Sequence, residues 1–261
     1  MSRKIEMEIS TLPAKPLKIA VVTDVHIGAA LPRPCTRLPE RARSLLKYVV
    51  SRINTEMRPD FVVQLGNLIE AEDAETDEEN YSTGLEVLSE LQMPCYHVVG
   101  NHEQMHLSLK QLASMVNYPK FYYSFDSGTF HFVVLFGQSS DGEAVVFDDA
   151  QKKWLEGDLA AAEKPVVVFT HLPLHQDDDE QQRIIRGILA ASGKVRAVIN
   201  GHLHKNELVD IAGICYVSIQ SLVQNISETR LDAAEAFAVI TLGQSDVRIE
   251  VEGMDRAEFQ F

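Results

Sequence analysis

Polar residues of a particular kind stand directly after apolar runs in this chain. Asp24 and His26 follow the first run, Asn67 the second, Asn101 and His102 the third, His171 the fifth, and His202 and His204 the sixth. Imidazole nitrogen, carboxylate oxygen and amide oxygen are together the donors that borderline cations such as Mn, Fe, Zn or Co prefer. His102 could instead serve as an acid. No single member is diagnostic, because a lone His after a strand is ordinarily hydrogen-bonded scaffold, and Asn or Asp there is ordinarily a turn or helix cap. The set carries the argument. Five of the nine histidines follow the pattern, whereas His97, His106, His131 and His175 lie within strands or loops and do not.

The runs that place these residues are Leu17–Thr23, Phe61–Leu65, Cys95–Val99, Phe130–Phe136, Pro165–Thr170 and Val195–Ile199. Most are too continuously apolar to have a wet face, and they read as buried central strands. Helical spacing fills the gaps at Arg37–Met57, Asn80–Leu91, Gln111–Val116, Asp149–Ala162 and Asp178–Ala191. The alternation predicts an α/β fold. Ligands of open α/β sheets bind at the carboxyl ends of strands, so residues far apart in the chain can converge there. After position 205 the texture changes to Glu207–Ile211, Ile214–Ile219, Ala236–Leu242 and Val247–Val251, separated by short turns, which predicts antiparallel strands. With no internal repeat and no Pro/Ser-rich linker, one domain over 1–261 is expected, comprising an N-terminal extension over 1–16 and the final strands over 205–261.

Composition narrows the function class. The chain has 261 residues, 24 Lys and Arg against 38 Asp and Glu, and a formal charge of −14. That balance disfavours long nucleic acid as a partner. Hydrophobic content of 45% and charged content of 24% are those of an ordinary folded protein, which argues against disorder and collagen-like repeats. Cys35, Cys95 and Cys215 are too few and too scattered for a disulfide framework, so they read as buried thiols in a reducing compartment. No stretch reaches the ~18 apolar residues of a membrane span, and a cytoplasmic location is expected. Glu70–Glu79 holds seven acids and Asp177–Glu180 four more. Both read as solvated loops or helix starts, and neither has the glycine-containing spacing of an EF-hand.

The ordered motifs Asp24-Val25-His26, Gly66-Asn67, Gly100-Asn101-His102-Glu103, His171 and Gly201-His202-Leu203-His204 resemble the calcineurin-like metallophosphoesterase superfamily over residues 18–219. The resemblance implies two packed mixed β-sheets flanked by helices, a four-layer sandwich. His171-Leu172-Pro173-Leu174-His175 and the acidic segment after it look like the branch with ADP-ribose and CDP-alcohol diphosphatases. By resemblance, Asp24, His26 and His204 would hold one metal, and Asn101, His171 and His202 the other, with position 67 between them. The ions would be divalent or mixed-valence. Two such cations ~3.5–4 Å apart acidify a shared water, which attacks the phosphorus in line. His102 would act at the leaving oxygen, oriented by Glu70. Glycines 66, 100 and 201 would let the backbone turn beside the ligands.

One position departs from the pattern. The superfamily has a bridging aspartate where this chain has Asn67, so a negative charge is missing where repulsion between the ions is greatest. Weaker occupancy of at least one site is expected, with activity reduced or lost. The completeness of the other positions favours an engineered substitution over a natural one. Arg33, Arg37 and His106 are the expected substrate contacts, alongside Arg41, Arg43, Tyr122, Tyr123, Gln220 and Asn225 as further pocket candidates. The expected substrate is a small phosphodiester, phosphomonoester or nucleotide diphosphate derivative, with no membrane partner and the oligomeric state open. A catalytically silent metal- or nucleotide-binding regulator is the alternative, and a nuclease subunit is disfavoured because no basic stripe follows the motifs.

Overall fold

Alternation along the central strands decides which layer each side chain enters. The structure is a computed structural model that describes residues 15–32, 35–139, 145–176, 179–224, 235–244, 246–254 and 256–261. Its elements begin with β1 (Leu17–Val22), α1 (Pro39–Arg52, prolonged by a π-helical turn over Ile53–Met57), β2 (Phe61–Leu65), α2 (Ala74–Leu88) and β3 (Cys95–Val98). Next come α3 (Glu103–His106), α4 (Leu109–Val116), β4 (Tyr123–Ser127), β5 (Phe130–Val134) and the short β6 (Gln138–Ser139) and β7 (Val145–Val146). Then follow α5 (Asp149–Ala161), β8 (Val166–Thr170), α6 (Glu180–Ser192), β9 (Val195–Asn200), β10 (Glu207–Ile211) and β11 (Ile214–Ser218). The last strands are β12 (Phe237–Leu242), β13 (Val247–Glu252) and β14 (Ala257–Gln260).

Two six-stranded mixed sheets result, ordered β14-β13-β12-β1-β2-β3 and β10-β11-β9-β8-β5-β4. In the first, β1, β2 and β3 run parallel and β12 to β14 are antiparallel. In the second, β5, β8, β9 and β11 run parallel, flanked by antiparallel β4 and β10. Ile19, Val21, Phe61, Val63 and Leu65 meet Phe132, Val134, Val167, Phe169 and Ile199 in a core between the sheets. The alternate residues Ala20, Val22 and Val62 face α1, α2 and α4 instead, while Val133, Val168 and Val198 face α5 and α6. This is the four-layer α/β sandwich expected from the sequence. Each fully buried aliphatic or aromatic side chain contributes roughly 1.5–3 kcal/mol relative to exposure.

Several elements differ from the sequence expectation. The helix expected over Asn80–Leu91 runs Ala74–Leu88, because Asp73 caps it, accepting from the Glu75 and Thr76 backbone N–H groups at 3.1 and 3.0 Å. Acids in its first turn complement the helix dipole, a signal invisible to a search for apolar spacing. Strands β4 and β14 are additions to the expected set. Both are sheet edges whose sequences, Tyr-Ser-Phe-Asp-Ser and Ala-Glu-Phe-Gln, carry too few apolar residues to stand out. The α1 helix starts at Pro39 rather than Arg37, which leaves Arg37 in a bridge with Gln224.

Candidate metal centre

The expected residues gather where strands from both sheets end. Asp24 and His26 leave β1, Asn67 leaves β2, Asn101 and His102 leave β3, His171 leaves β8, and His202 and His204 leave β9. Backbone bonds zip these exits together: Asp24 N–H donates to Gly66 O at 3.1 Å and His26 N–H to Asn67 O at 2.9 Å. Five of the residues have left-handed backbone, with φ of 51° at Asp24, 52° at His26, Asn67 and His204, and 67° at His202. Such conformations cost roughly 1–2 kcal/mol per residue, and Asn, Asp and His tolerate them best. Their concentration here turns side chains of successive exits toward one point.

Two glycines make room for this. Gly66 has φ +91°, and a side chain there would overlap the His171 ring. Gly201 has ordinary backbone, but a Cβ would strike Thr23 and stand 2.5 Å from Asp24 Oδ2. Its role is close approach rather than the tight turn expected from the sequence.

The imidazoles are oriented from behind. His26 Nδ1 faces Glu70 Oε2 at 3.1 Å, His171 Nδ1–H donates to Leu65 O at 2.8 Å, and His204 Nδ1–H donates to Gln224 Oε1. Holding the proton on Nδ1 of His171 and His204 leaves their Nε2 atoms as bare lone pairs, and all three Nε2 atoms point inward. His26 Nε2 lies 3.1 Å from His204 Nε2, which lies 3.1 Å from Asp24 Oδ1. His171 Nε2 lies 3.0 Å from Asn101 Oδ1. Lone pairs facing one another at these distances repel unless a proton or cation joins them. Asp24, His26 and His204, and separately His26, Glu70 and His102, each bring ligand atoms within 4.8 Å of one another.

The electrostatics match. Burial alone would raise the Asp24 carboxyl, but the neighbouring imidazoles, His204 first, hold it well below the usual carboxylate range. Burial would likewise lower His26, and Asp24 and Glu70 outweigh it to raise the ring above its ordinary value. His171 is pushed down to about 3, and His202 is also lowered, chiefly by burial. These last two rings are neutral donors at neutral pH. His202 donates its backbone N–H to Asp24 Oδ2 at 2.8 Å and sets its ring edge-on to His171, with centroids 5.4 Å apart.

Several residues occupy places different from those expected. The Glu70 carboxylate contacts His26 and Arg37, and only its backbone carbonyl reaches His102 Nδ1. Arg37, expected at a phosphate, is thus paired within the protein. His106 Nδ1 lies 2.8 Å from the carboxylate of Asp77, which is fully buried despite belonging to the acidic run. The reading of that run as solvated fails at Asp77 and Glu70, which the fold buries against His106, His26 and Arg37. Tyr122 packs on Trp154 with centroids 5.0 Å apart, Tyr123 donates to His97 O at 3.0 Å, and Gln220 accepts from Asn206 Nδ2 at 3.1 Å. Arg33, Asn225 and the first two acids of the second run, Asp177 and Asp178, lie outside the described residues. The cysteines are free, with Cys215 buried and the others half-buried.

Two supporting residues have no role assigned from the sequence. Glu103, 1% exposed, accepts from Gly100 N–H at 2.8 Å, Asn67 N–H at 3.2 Å and Leu68 N–H, tying the β2 and β3 exits together. Its place in the Gly-Asn-His-Glu motif is the available signal. Gln224 offers none, because only the return of the chain after β11 brings it to His204.

A sandwich that collects aspartate, amide and imidazole lone pairs at its strand exits offers the donors of a candidate metal centre. The chain belongs to the calcineurin-like phosphoesterase family, whose model matches residues 17–206. The structure resembles a dimetal phosphatase from Danio rerio with TM-score 0.77 and 19% identity, covering 95% of this chain and 98% of that one. A purple acid phosphatase from yellow lupin seeds gives TM-score 0.68 and 15% identity, over 95% of this chain and 54% of that one. The GAP50 anchor of the Plasmodium inner membrane complex gives 0.59 and 16%, over 94% and 89%. No curated protein matches by sequence. No helix among the described residues is long and apolar enough to cross a membrane.

Proposed function

We propose that the chain hydrolyses a small phosphodiester, phosphomonoester or nucleotide diphosphate derivative at a metal centre held by Asp24, His26, Asn101, His171, His202 and His204. The facing Nε2 atoms of His26 and His204, 3.1 Å apart, with His204 Nδ1 bonded to Gln224 and His26 Nδ1 facing Glu70, carry this reading. Mn, Fe, Zn or Co fits such a donor set. When bound, ions there would supply an acidified water and neutralise charge on the phosphoryl group.

The protein's own residues do the positioning. Thr23 Oγ donates to Asp24 Oδ2 at 2.8 Å and fixes that carboxylate. Glu70, clamped by Arg37, orients His26, and Gln224, itself donating to Thr36 Oγ1 at 3.0 Å, orients His204. His102 is anchored through Nδ1 on the Glu70 carbonyl and burial pushes the ring down to about 4, so Nε2 is a lone pair that can serve the leaving oxygen only after taking up a proton. Its ring stands edge-on to His26 at 4.6 Å between centroids, which sets it beside the centre. The net charge of −14 favours a small substrate over a polyanion.

The test is a panel of phosphomonoesters, cyclic nucleotides, ADP-ribose and CDP-alcohols, offered with Mn, Fe, Co, Zn or Mg to this chain and to Asn67→Asp. Turnover of at least one compound by the Asn67→Asp variant is expected, with the parent chain slower by roughly 10²-fold or more. Metal binding by that variant without turnover of any compound would replace this reading with the second, a silent metal- or nucleotide-binding regulator. That second reading is favoured by one feature only, the neutral amide at Asn67.

A further inference from the structure

Asn67 does more than remove a charge. His102 N–H donates to Asn67 Oδ1 at 3.1 Å, so the amide is keyed by a backbone donor that cannot turn away. The other end of the amide is then Nδ2, and it donates to Asp24 Oδ1 at 3.2 Å. The amide therefore turns an N–H group toward Asp24 at the position where a bridging ligand must offer lone pairs. Rotating the amide by half a turn would present oxygen inward, but would leave the His102 N–H facing an NH₂ group. The observed orientation satisfies both ends of the amide, whereas the flipped one leaves the His102 donor unpaired beside a residue only 1% exposed, and a buried unsatisfied donor costs about 1–3 kcal/mol.

The two halves of the centre also differ in charge. Asp24, His26 and His204, whose ligand atoms lie within 4.8 Å of one another, include a carboxylate. Asn101, His171 and His202 are all neutral, and with Asn67 in place the shared position is neutral as well. Nearby, Glu70 is paired with Arg37 and Glu103 is committed to backbone N–H groups, so neither carboxylate is free to serve that half. A dication there would face neutral dipoles and, a few ångströms away, another dication.

We infer that this chain binds a single divalent ion tightly, at Asp24, His26 and His204, and that the position made by Asn101, His171 and His202 holds its ion at least ~100-fold more weakly. This rests on reading the site as a metal centre. The experiment is chelator stripping of the full chain, reconstitution with excess Mn, desalting, metal analysis and low-temperature electron paramagnetic resonance. One Mn per chain with an uncoupled six-line spectrum is expected, and Asn67→Asp should take two and show exchange coupling. His204→Ala should lose the retained ion and His171→Ala should keep it. Two coupled ions in the parent chain would overturn the inference while leaving the metal-centre reading intact. Retention that depends on His171 and not on His204 would overturn the assignment of place. No retained ion in either the parent chain or the Asn67→Asp variant would overturn both.

Discussion

Gln224 shows what a single residue contributes at this site. Its side-chain oxygen accepts a hydrogen bond from His204 Nδ1–H, so Gln224→Leu frees that ring to rotate or to shift its proton to Nε2. Titration calorimetry with Mn should show affinity falling by roughly 10–100-fold, with the fold intact by circular dichroism. Glu103 acts on the backbone instead. Replacing it with Leu strands the N–H groups of Gly100, Asn67 and Leu68 and should cost about 3 kcal/mol or more, read from urea denaturation. At this scale the sequence is legible wherever chemistry sits directly after an apolar run, as at Asp24, Asn101 and His171. It is silent on Gln224, which follows no motif, and misdirects on Glu70. Spacing alone can place Glu70 near His102 but cannot say that its carbonyl, not its carboxylate, makes the contact.

Among the elements, α2 and the inter-sheet core make the sharpest contrast. Asp73 holds the first turn of α2 through two backbone bonds and a third to Thr76 Oγ1 at 2.9 Å. Asp73→Ala should lower the denaturant midpoint modestly, since the cap is exposed and water replaces it in part. Phe132 is fully buried and stacks with Phe125 and Phe169 at 5.2 and 6.1 Å between centroids. Phe132→Ala should cost about 3–5 kcal/mol by the same measurement. The central strands are readable because burial on both faces makes their sequences continuously apolar. Edge strands β4 and β14 are not, because an edge needs polar residues that dilute the pattern. Which strands share a sheet is also out of reach: the pairing of Leu17 in β1 with Leu242 in β12 joins opposite ends of the chain, and it follows from packing and not from any local signal.

For the whole molecule, stability should report both pH and metal. Burial pushes the His97 imidazole down to about 4, whereas in the unfolded chain it titrates near ~6.5. Between those values the unfolded state binds more protons, so this residue's contribution to stability is present above ~6.5 and is lost as pH falls toward 4. Denaturation of His97→Gln should therefore show a smaller loss between pH 8 and pH 5 than the parent chain. Metal acts in the other direction on the facing lone pairs of the centre, relieving a repulsion that the folded chain builds in and the unfolded chain lacks. Added Mn should raise the melting temperature, and a chelator should reverse the rise. The most direct test of the account is anomalous X-ray scattering from crystals soaked in Mn. A peak bonded to His26 Nε2, His204 Nε2 and an Asp24 oxygen is predicted, and scattering absent there while the two Nε2 atoms stay in mutual contact would contradict it.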